Sequence, residues 1–254
     1  MRTGIKRRQE GDRLDELPTG ANKTVRVRSM FDAIAPRYDL VNRLMTFGLD
    51  RGWRRTTVAA LGLAPGSTVL DLACGTGDLA SLAGRCGYRT LGADLSWGML
   101  EAGHARPVLQ ADASRLPLPD GALDGVVCGY ALRNFADLAG SLAEAARVLR
   151  PGGRVAVLEV AAPKAGVLRA GYRLWFEHVV PVLGGILSDA DAYRYLPRSV
   201  AYLPDEPALR QLFTEAGFAT VGRRLLHGGL SQLITATRSG LPPGAEPTSN
   251  GAVR

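Results

Sequence analysis

Between residues 67 and 160 the chain alternates short apolar runs with amphipathic stretches, punctuated by Gly, Pro, Asp and Ser. The apolar runs predict strands at 67–72, 88–94, 108–111, 123–129 and 154–160. The stretches between them predict helices at 77–86, 97–103 and 138–149; in the last, Leu138, Leu142, Ala145, Ala146 and Leu149 share one face. Residues 29–61 also read as helical, with a break at Thr46-Phe47-Gly48. An apolar, aromatic helical stretch at 164–187 interrupts the alternation. A helix at 209–216 and strands at 219–226 and 231–237 follow and close the sheet. Residues 1–24, polar and charged, and 239–254, rich in Pro and Gly, read as disordered tails around one domain at 25–238. Alternation of this kind predicts an α/β fold: a mostly parallel seven-stranded sheet, helices on both faces and an N-terminal helical cover.

Ligands of such sheets bind outside the carboxyl ends of the strands. Asp71, Asp94, Asp112 and the segment 130–134 all fall at predicted strand ends and therefore converge. The run Val69-Leu70-Asp71-Leu72-Ala73-Cys74-Gly75-Thr76-Gly77-Asp78-Leu79 is the most informative of these ends. Gly75 and Gly77 let backbone approach a ligand, and the helix behind them offers N–H groups to a carboxylate. Asp71 suits an ammonium group. Adenosine, cationic centre and carboxylate together describe S-adenosylmethionine. The rival is a dinucleotide, because Gly75-x-Gly77-x-x-Ala80 fits the relaxed fingerprint and Asp94 lies where a ribose-binding acid belongs. A negative charge at Asp71 has no use beside a pyrophosphate, which favours the methyl donor. Asp94, with Leu95 beside it, suits a ribose diol; its competing role is an N-cap for the next helix. Met99 suits an adenine face or the core. Asp112-Ala113 suits the adenine amino group or a plain turn.

The chain has 254 residues, 46% hydrophobic and 22% charged, and a formal net charge of +7. Residues 1–28 hold eight basic side chains against four acidic ones, so more than half of that charge sits near the N-terminus. The remainder shows no basic–aromatic run of the kind nucleic-acid binders use, so no nucleic-acid partner is expected. Cys74, Cys86 and Cys128 form no C-x-x-C pair, and His104, His178 and His227 show no metal-ligand spacing. No metal is expected. With no leader-like or membrane-spanning run, a reducing, cytoplasmic setting is the simplest expectation.

Further stretches are Phe31-Asp32-x-Ile34-Ala35-x-x-Tyr38-Asp39-x-x-Asn42, Phe47-Gly48-Leu49-Asp50-Arg51-x-Trp53-Arg54-Arg55, Leu132-Arg133-Asn134-Phe135, Arg147-Val148-Leu149-Arg150-Pro151-Gly152-Gly153 and Asp189-Ala190-Asp191-Ala192-Tyr193-Arg194-Tyr195-Leu196. With the cofactor loop, they make residues 29–230 resemble the menaquinone/ubiquinone-biosynthesis C-methyltransferases. The resemblance implies a class I, Rossmann-like methyltransferase acting on the ring of a prenylated quinol. It implies cofactor contacts at Thr76, Asp94, Asp112 and Ala113, and at Gly129, which stands where the family has a serine. The chain departs from the family at Gly129-Tyr130-Ala131 in place of Ser-Phe-Gly. It departs again at Leu230-Ser231-Gln232-Leu233-Ile234-Thr235 in place of an apolar-His-x-Gly-Tyr-Lys ending. The Asn/Asp-Pro-Pro-aromatic motif of amino-group methyltransferases is absent from 130–134.

For such a reaction Arg133 is expected to stabilise a developing phenolate and Tyr38 to orient the hydroxyl or a water. His178 is a weaker candidate base, since a structural histidine in an aromatic helix explains it as well. An apolar substrate implies contact with a membrane surface through the helices at 29–61 and 164–187, and the chain is compatible with a homodimer. The alternative is a same-fold O- or C-methyltransferase acting on another small molecule in secondary metabolism.

Overall fold

The computed structural model describes residues 18–161, 163, 166–180 and 190–240. Helix α1 (Gly20–Ile34) runs into a short 3-10 turn (Ala35–Arg37) and α2 (Tyr38–Met45), and α3 (Asp50–Ala60) follows. Strand and helix then alternate: β1 (Thr68–Leu72), α4 (Asp78–Arg85), β2 (Arg89–Asp94), α5 (Trp97–Ala102), β3 (Val108–Gln110) and β4 (Leu123–Gly129). A 3-10 turn (Leu132–Asn134) leads to α6 (Leu138–Val148) and β5 (Leu149–Val160). Next come α7 (Gly166–Leu174), a π-helical turn (Trp175–Val179), α8 (Ala190–Ser199) and α9 (Glu206–Glu215). Strands β6 (Phe218–Leu226) and β7 (Ser231–Arg238) end the described chain.

The seven strands lie in the order β3-β2-β1-β4-β5-β7-β6, and β7 is antiparallel to both neighbours. Strand order reverses between β1 and β4, so their carboxyl ends open the crevice in which open α/β sheets bind ligands. The buried central strands explain the near-continuous apolar runs of the sequence: Val69, Leu70, Val126, Val127, Ala156 and Leu158 are all buried. Leu142, Ala145, Ala146 and Leu149 bury the predicted face of α6 against one side of the sheet. Trp53, Val58 and Leu61 of α3 and its C-cap cover the other side with Leu79 and Ala83.

Two boundaries differ from expectation. Strand β5 begins at Leu149, not 154, because Leu149 already pairs with Leu123 before a bulge accommodates Pro151-Gly152-Gly153. Helix α1 begins at Gly20, inside the stretch read as tail. Lys23 explains this: its Nζ donates to the Phe135 carbonyl at 2.8 Å and lies 3.6 Å from the centre of the Tyr202 ring. Burial lowers its pKa to about 8. A lysine so held anchors α1 across the crevice. The tails read at 1–17 and 241–254, residues 181–187 of the aromatic stretch and Asp189 lie outside the described residues.

Candidate active site

A cleft of about 770 Å³ opens at the ends of β1, β2 and β4 and is roofed by α1 through Thr24, Val27 and Phe31. Gly75, Asp94, Leu95, Met99, Asp112, Ala113 and Gly129 all line it, as the strand-end argument requires. Asp94 Oδ2 accepts the Gly75 N–H and Oδ1 accepts the Ser96 N–H, each at 2.8 Å. The carboxylate thus fixes the glycine loop and keeps further lone pairs for a diol. Burial raises its pKa. The N-cap of α5 is Ser96, whose Oγ accepts from the Met99 N–H at 3.1 Å, so Asp94 is not spent on capping. Asp112 Oδ1 accepts the N–H and hydroxyl of Ser114, which aims the Asp112-Ala113 turn. A Cβ on Gly75 would meet nothing closer than Tyr38 at 3.9 Å, leaving the loop backbone open on the cleft side. These features fit the adenosine end of S-adenosylmethionine.

Three residues expected at the cofactor are not among those that line the cleft. Asp71 is 1% exposed and does not line the cleft. Its Oδ2 accepts the Ala80 N–H at 2.8 Å, in the first turn of α4, and burial raises its pKa to about 7. Successive strand side chains alternate between faces, so Asp71 points under the loop and props the helix N-terminus. Gly77 has φ of +91°, and a Cβ there would stand 2.2 Å from the Ala105 Cβ. That packing requires a glycine here. Thr76 is buried and outside the lining, and its hydroxyl donates to Asp39 Oδ1 at 2.7 Å, tying α2 to the loop.

A second cavity of about 1260 Å³ adjoins the first, and Phe31, Tyr38 and Tyr130 line both. Its wall is mostly apolar and aromatic: Met45, Phe47, Leu49, Trp53, Tyr172, Trp175, Val180 and Leu230. Asn42, Arg54 and Arg133 are among its polar groups. Arg133 is buried, with Nη1 2.6 Å from Glu159 Oε1 and 2.7 Å from the Tyr130 carbonyl, and Nε 3.0 Å from Ser199 Oγ. Its Nη2 makes no hydrogen bond to another described residue, and Arg133 lines the cavity. Glu159 is fully buried; Oε1 also accepts the Val160 N–H, and Oε2 has no hydrogen-bond partner among the described residues. Tyr38 is kept neutral, since burial raises its pKa more than Asn42, Arg54 and Arg133 lower it.

Both expected catalytic residues, Arg133 and Tyr38, therefore border the acceptor space, whereas His178 is exposed and lines neither cavity. Glu159 was not singled out from the sequence, and Arg54, Asn134 and Tyr130 were noted there without a role. Glu159 had the same signal as the other acids, a charge at the carboxyl end of an apolar strand. Asp39, Asp78 and His104, distant in sequence, place their ligand-type atoms within 4.8 Å of one another. Arg54 lies 3.5 Å from Asp78 and Thr76 donates to Asp39, so the acids are already paired with protein donors.

The pattern of the ubiE/COQ5 methyltransferase family matches residues 19–238. The chain is 45% identical over 221 residues to the demethylmenaquinone methyltransferase of Thermus thermophilus, covering 82% of this chain and all of that one. It is 41% identical to the ubiquinone/menaquinone biosynthesis C-methyltransferase UbiE of Syntrophotalea carbinolica, covering 84% and 94%. Among solved structures, a SAM-dependent methyltransferase of Thermotoga maritima superposes with a TM-score of 0.58 at 21% identity, covering 84% of this chain and 100% of that one. The last likeness shows the fold alone. Taken with the loop, the strand-end acids and the paired cavities, these relations make the chain an S-adenosylmethionine-dependent methyltransferase that belongs to the ubiE/COQ5 methyltransferase family.

Proposed function

We propose that the chain methylates a ring carbon of a prenylated quinol, converting a demethylmenaquinol to the menaquinol. The observation that carries this reading is the large apolar cavity sharing Phe31, Tyr38 and Tyr130 with the cofactor cleft. A prenyl chain suits that wall, and the shared residues are where donor and acceptor meet. The names of the relatives support the same acceptor. Asp94 would hold the ribose of the cofactor, Asp112 and Ala113 the adenine, and Met99 and Leu95 the ring faces. When bound, the cofactor supplies a methyl group already activated for attack.

The protein's part is then positioning and charge. A quinol carbon becomes nucleophilic when the adjacent hydroxyl loses its proton. Arg133 Nη2 would bind that oxygen and favour its ionised form. Glu159 and the Tyr130 carbonyl hold the guanidinium still, so little is reorganised as charge develops. Tyr38, neutral and at the boundary of the cavities, would donate to the same oxygen or to a water beside it. Mass spectrometry of quinones from a strain lacking the protein should show the demethylated quinone accumulating. An unchanged quinone pool would contradict the proposal.

Access to so apolar a substrate points to a membrane surface. Phe47, 71% exposed, packs on Trp175 with ring centres 4.5 Å apart, and both line the acceptor cavity. Leu40, Leu44 and Leu174 are also exposed, and Arg43 and Arg51 are exposed close by in sequence. This edge would rest on anionic lipid with the cavity facing it. Phe47→Asp should weaken sedimentation with phosphatidylglycerol vesicles; equal sedimentation would count against it. The domain limits that agree with this reading are about residues 19 to 240, with Lys23 inside the folded unit.

A further inference from the structure

Segments 129–131 and 230–235 meet in space. Tyr130 follows β4 and Ser231 opens β7, 101 residues later, yet their hydroxyl oxygens lie 3.0 Å apart. Both residues line the acceptor cavity. Two hydroxyls carry two protons, and the bond between them uses one. Whichever oxygen donates, one O–H proton and several lone pairs remain, because neither hydroxyl has another hydrogen-bond partner among the described residues. The pair is therefore a neutral group that can donate one hydrogen bond and accept others.

The backbone of Tyr130 is held on both sides. Its backbone φ is +60°, its N–H donates to the Leu158 carbonyl at 2.6 Å, and its carbonyl accepts from Arg133 at 2.7 Å. The same residue thus fixes Arg133 through its backbone and presents a phenol through its side chain. Burial raises the pKa of that phenol, so it stays protonated across the physiological range.

We propose that the Tyr130–Ser231 hydroxyl pair binds a second ring oxygen of the acceptor, the one opposite the oxygen held by Arg133, and so selects rings bearing two para oxygens over rings bearing one. Tyr130 is the contacting residue and Ser231 a positioning residue. The inference rests on the quinol reading above and narrows it. A site built to hydrogen-bond an oxygen discriminates against an analogue that lacks it, because the buried polar group is then left unpaired. The sequence showed both departures, but not that they touch.

The test compares a short-chain 2-prenyl-1,4-naphthoquinol with a 3-prenyl-1-naphthol, which keeps the hydroxyl beside the reacting carbon and lacks the opposite one. The readout is the ratio of kcat/KM for the two acceptors. Tyr130→Phe should lower that ratio about tenfold, the size of one hydrogen bond. Ser231→Ala should lower it less, and Ser231→Thr, which keeps a hydroxyl, should stay near the native ratio. Far-ultraviolet circular dichroism and cofactor binding report whether each variant is folded. A ratio unchanged within twofold in Tyr130→Phe overturns the inference and leaves the quinol reading standing. Native protein that methylates neither acceptor overturns the quinol reading and this inference with it.

Discussion

Asp94 reaches the cofactor cleft by ending a strand that begins five residues earlier, whereas Tyr130 and Ser231 meet in the acceptor cavity from 101 residues apart. The cofactor cleft is made by local rules. Strand ends deliver acids, a glycine loop turns the chain, and backbone N–H groups and short polar side chains do the holding. The acceptor cavity is made by packing. Helices α2 and α3, the π-helical turn after α7 and the β4 and β7 ends each contribute a few side chains to it. The first design suits a ligand common to many chemistries, and the second can be reshaped by single substitutions without disturbing the donor. The junction residues Phe31, Tyr38 and Tyr130 belong to both.

The largest effect should come from Arg133, the buried charge at the wall of the apolar cavity. Arg133→Ala leaves Glu159, already lacking a partner at Oε2, with no counter-charge. Breaking a buried pair in this way costs about 3–5 kcal/mol. Denaturant unfolding should therefore show a large loss of stability, and Arg133→Ala/Glu159→Leu should recover part of it. A single variant as stable as the native protein would mean that Glu159 is not held as a charge.

The next effect separates the two glycines of the loop. Gly77→Ala forces a Cβ into Ala105 at a positive φ and should cost on the order of 3 kcal/mol. Gly75→Ala has room and should cost about 1 kcal/mol, from its φ of +55°. Equal losses would show that the loop packs differently.

Asp94→Ala sharpens the donor side alone. It removes a charge-assisted contact worth about 1.5–3 kcal/mol, so calorimetry should show at least a tenfold loss of S-adenosylmethionine affinity. The apolar cavity should be unaffected, so acceptor binding measured by quenching of tryptophan fluorescence should change little. Loss of both would mean that the two sites are not separable.

The last effect is spread over several pH units. The Asp71 carboxyl has its pKa raised to about 7, above the usual carboxylate value. The folded state thus keeps a proton that the unfolded chain releases near pH 4. Stability should fall as pH rises from about 4 to about 7 and level off beyond, by at most about 1.4 kcal/mol per pH unit from this group. Asp71→Asn can still accept from Ala80 and should flatten that part of the curve. Parallel pH–stability profiles would contradict the assignment.

Much of the cofactor region was legible in the sequence because its rules are local. Strands 67–72, 88–94 and 123–129 and the acids Asp94 and Asp112 were read in place, since a two-residue period and turn residues fix them. Asp71, Thr76 and Gly77 were found too, but spacing along the chain does not say on which side of a loop a side chain falls, and the contacts of Asp71 with Ala80 and of Thr76 with Asp39 were not foreseen. The acceptor cavity was legible only as an apolar, aromatic stretch. The Glu159–Arg133 pair and the Tyr130–Ser231 contact depend on which strands become neighbours, and no short window of sequence carries that. Lys23 was placed in a tail because a lysine in a polar run gives no sign that a carbonyl and an aromatic ring await it.

The donor cleft and the apolar cavity would together carry a methyl group to the carbon of a reduced ring. The most direct measurement is transfer of a labelled methyl group from S-adenosylmethionine to a short-chain demethylmenaquinol, with the product's methyl position read by NMR. Label is expected on the ring carbon beside the prenyl chain with the quinol, and no transfer with the oxidised quinone, which has no hydroxyl to ionise. Label on oxygen, or equal transfer to quinol and quinone, would contradict it.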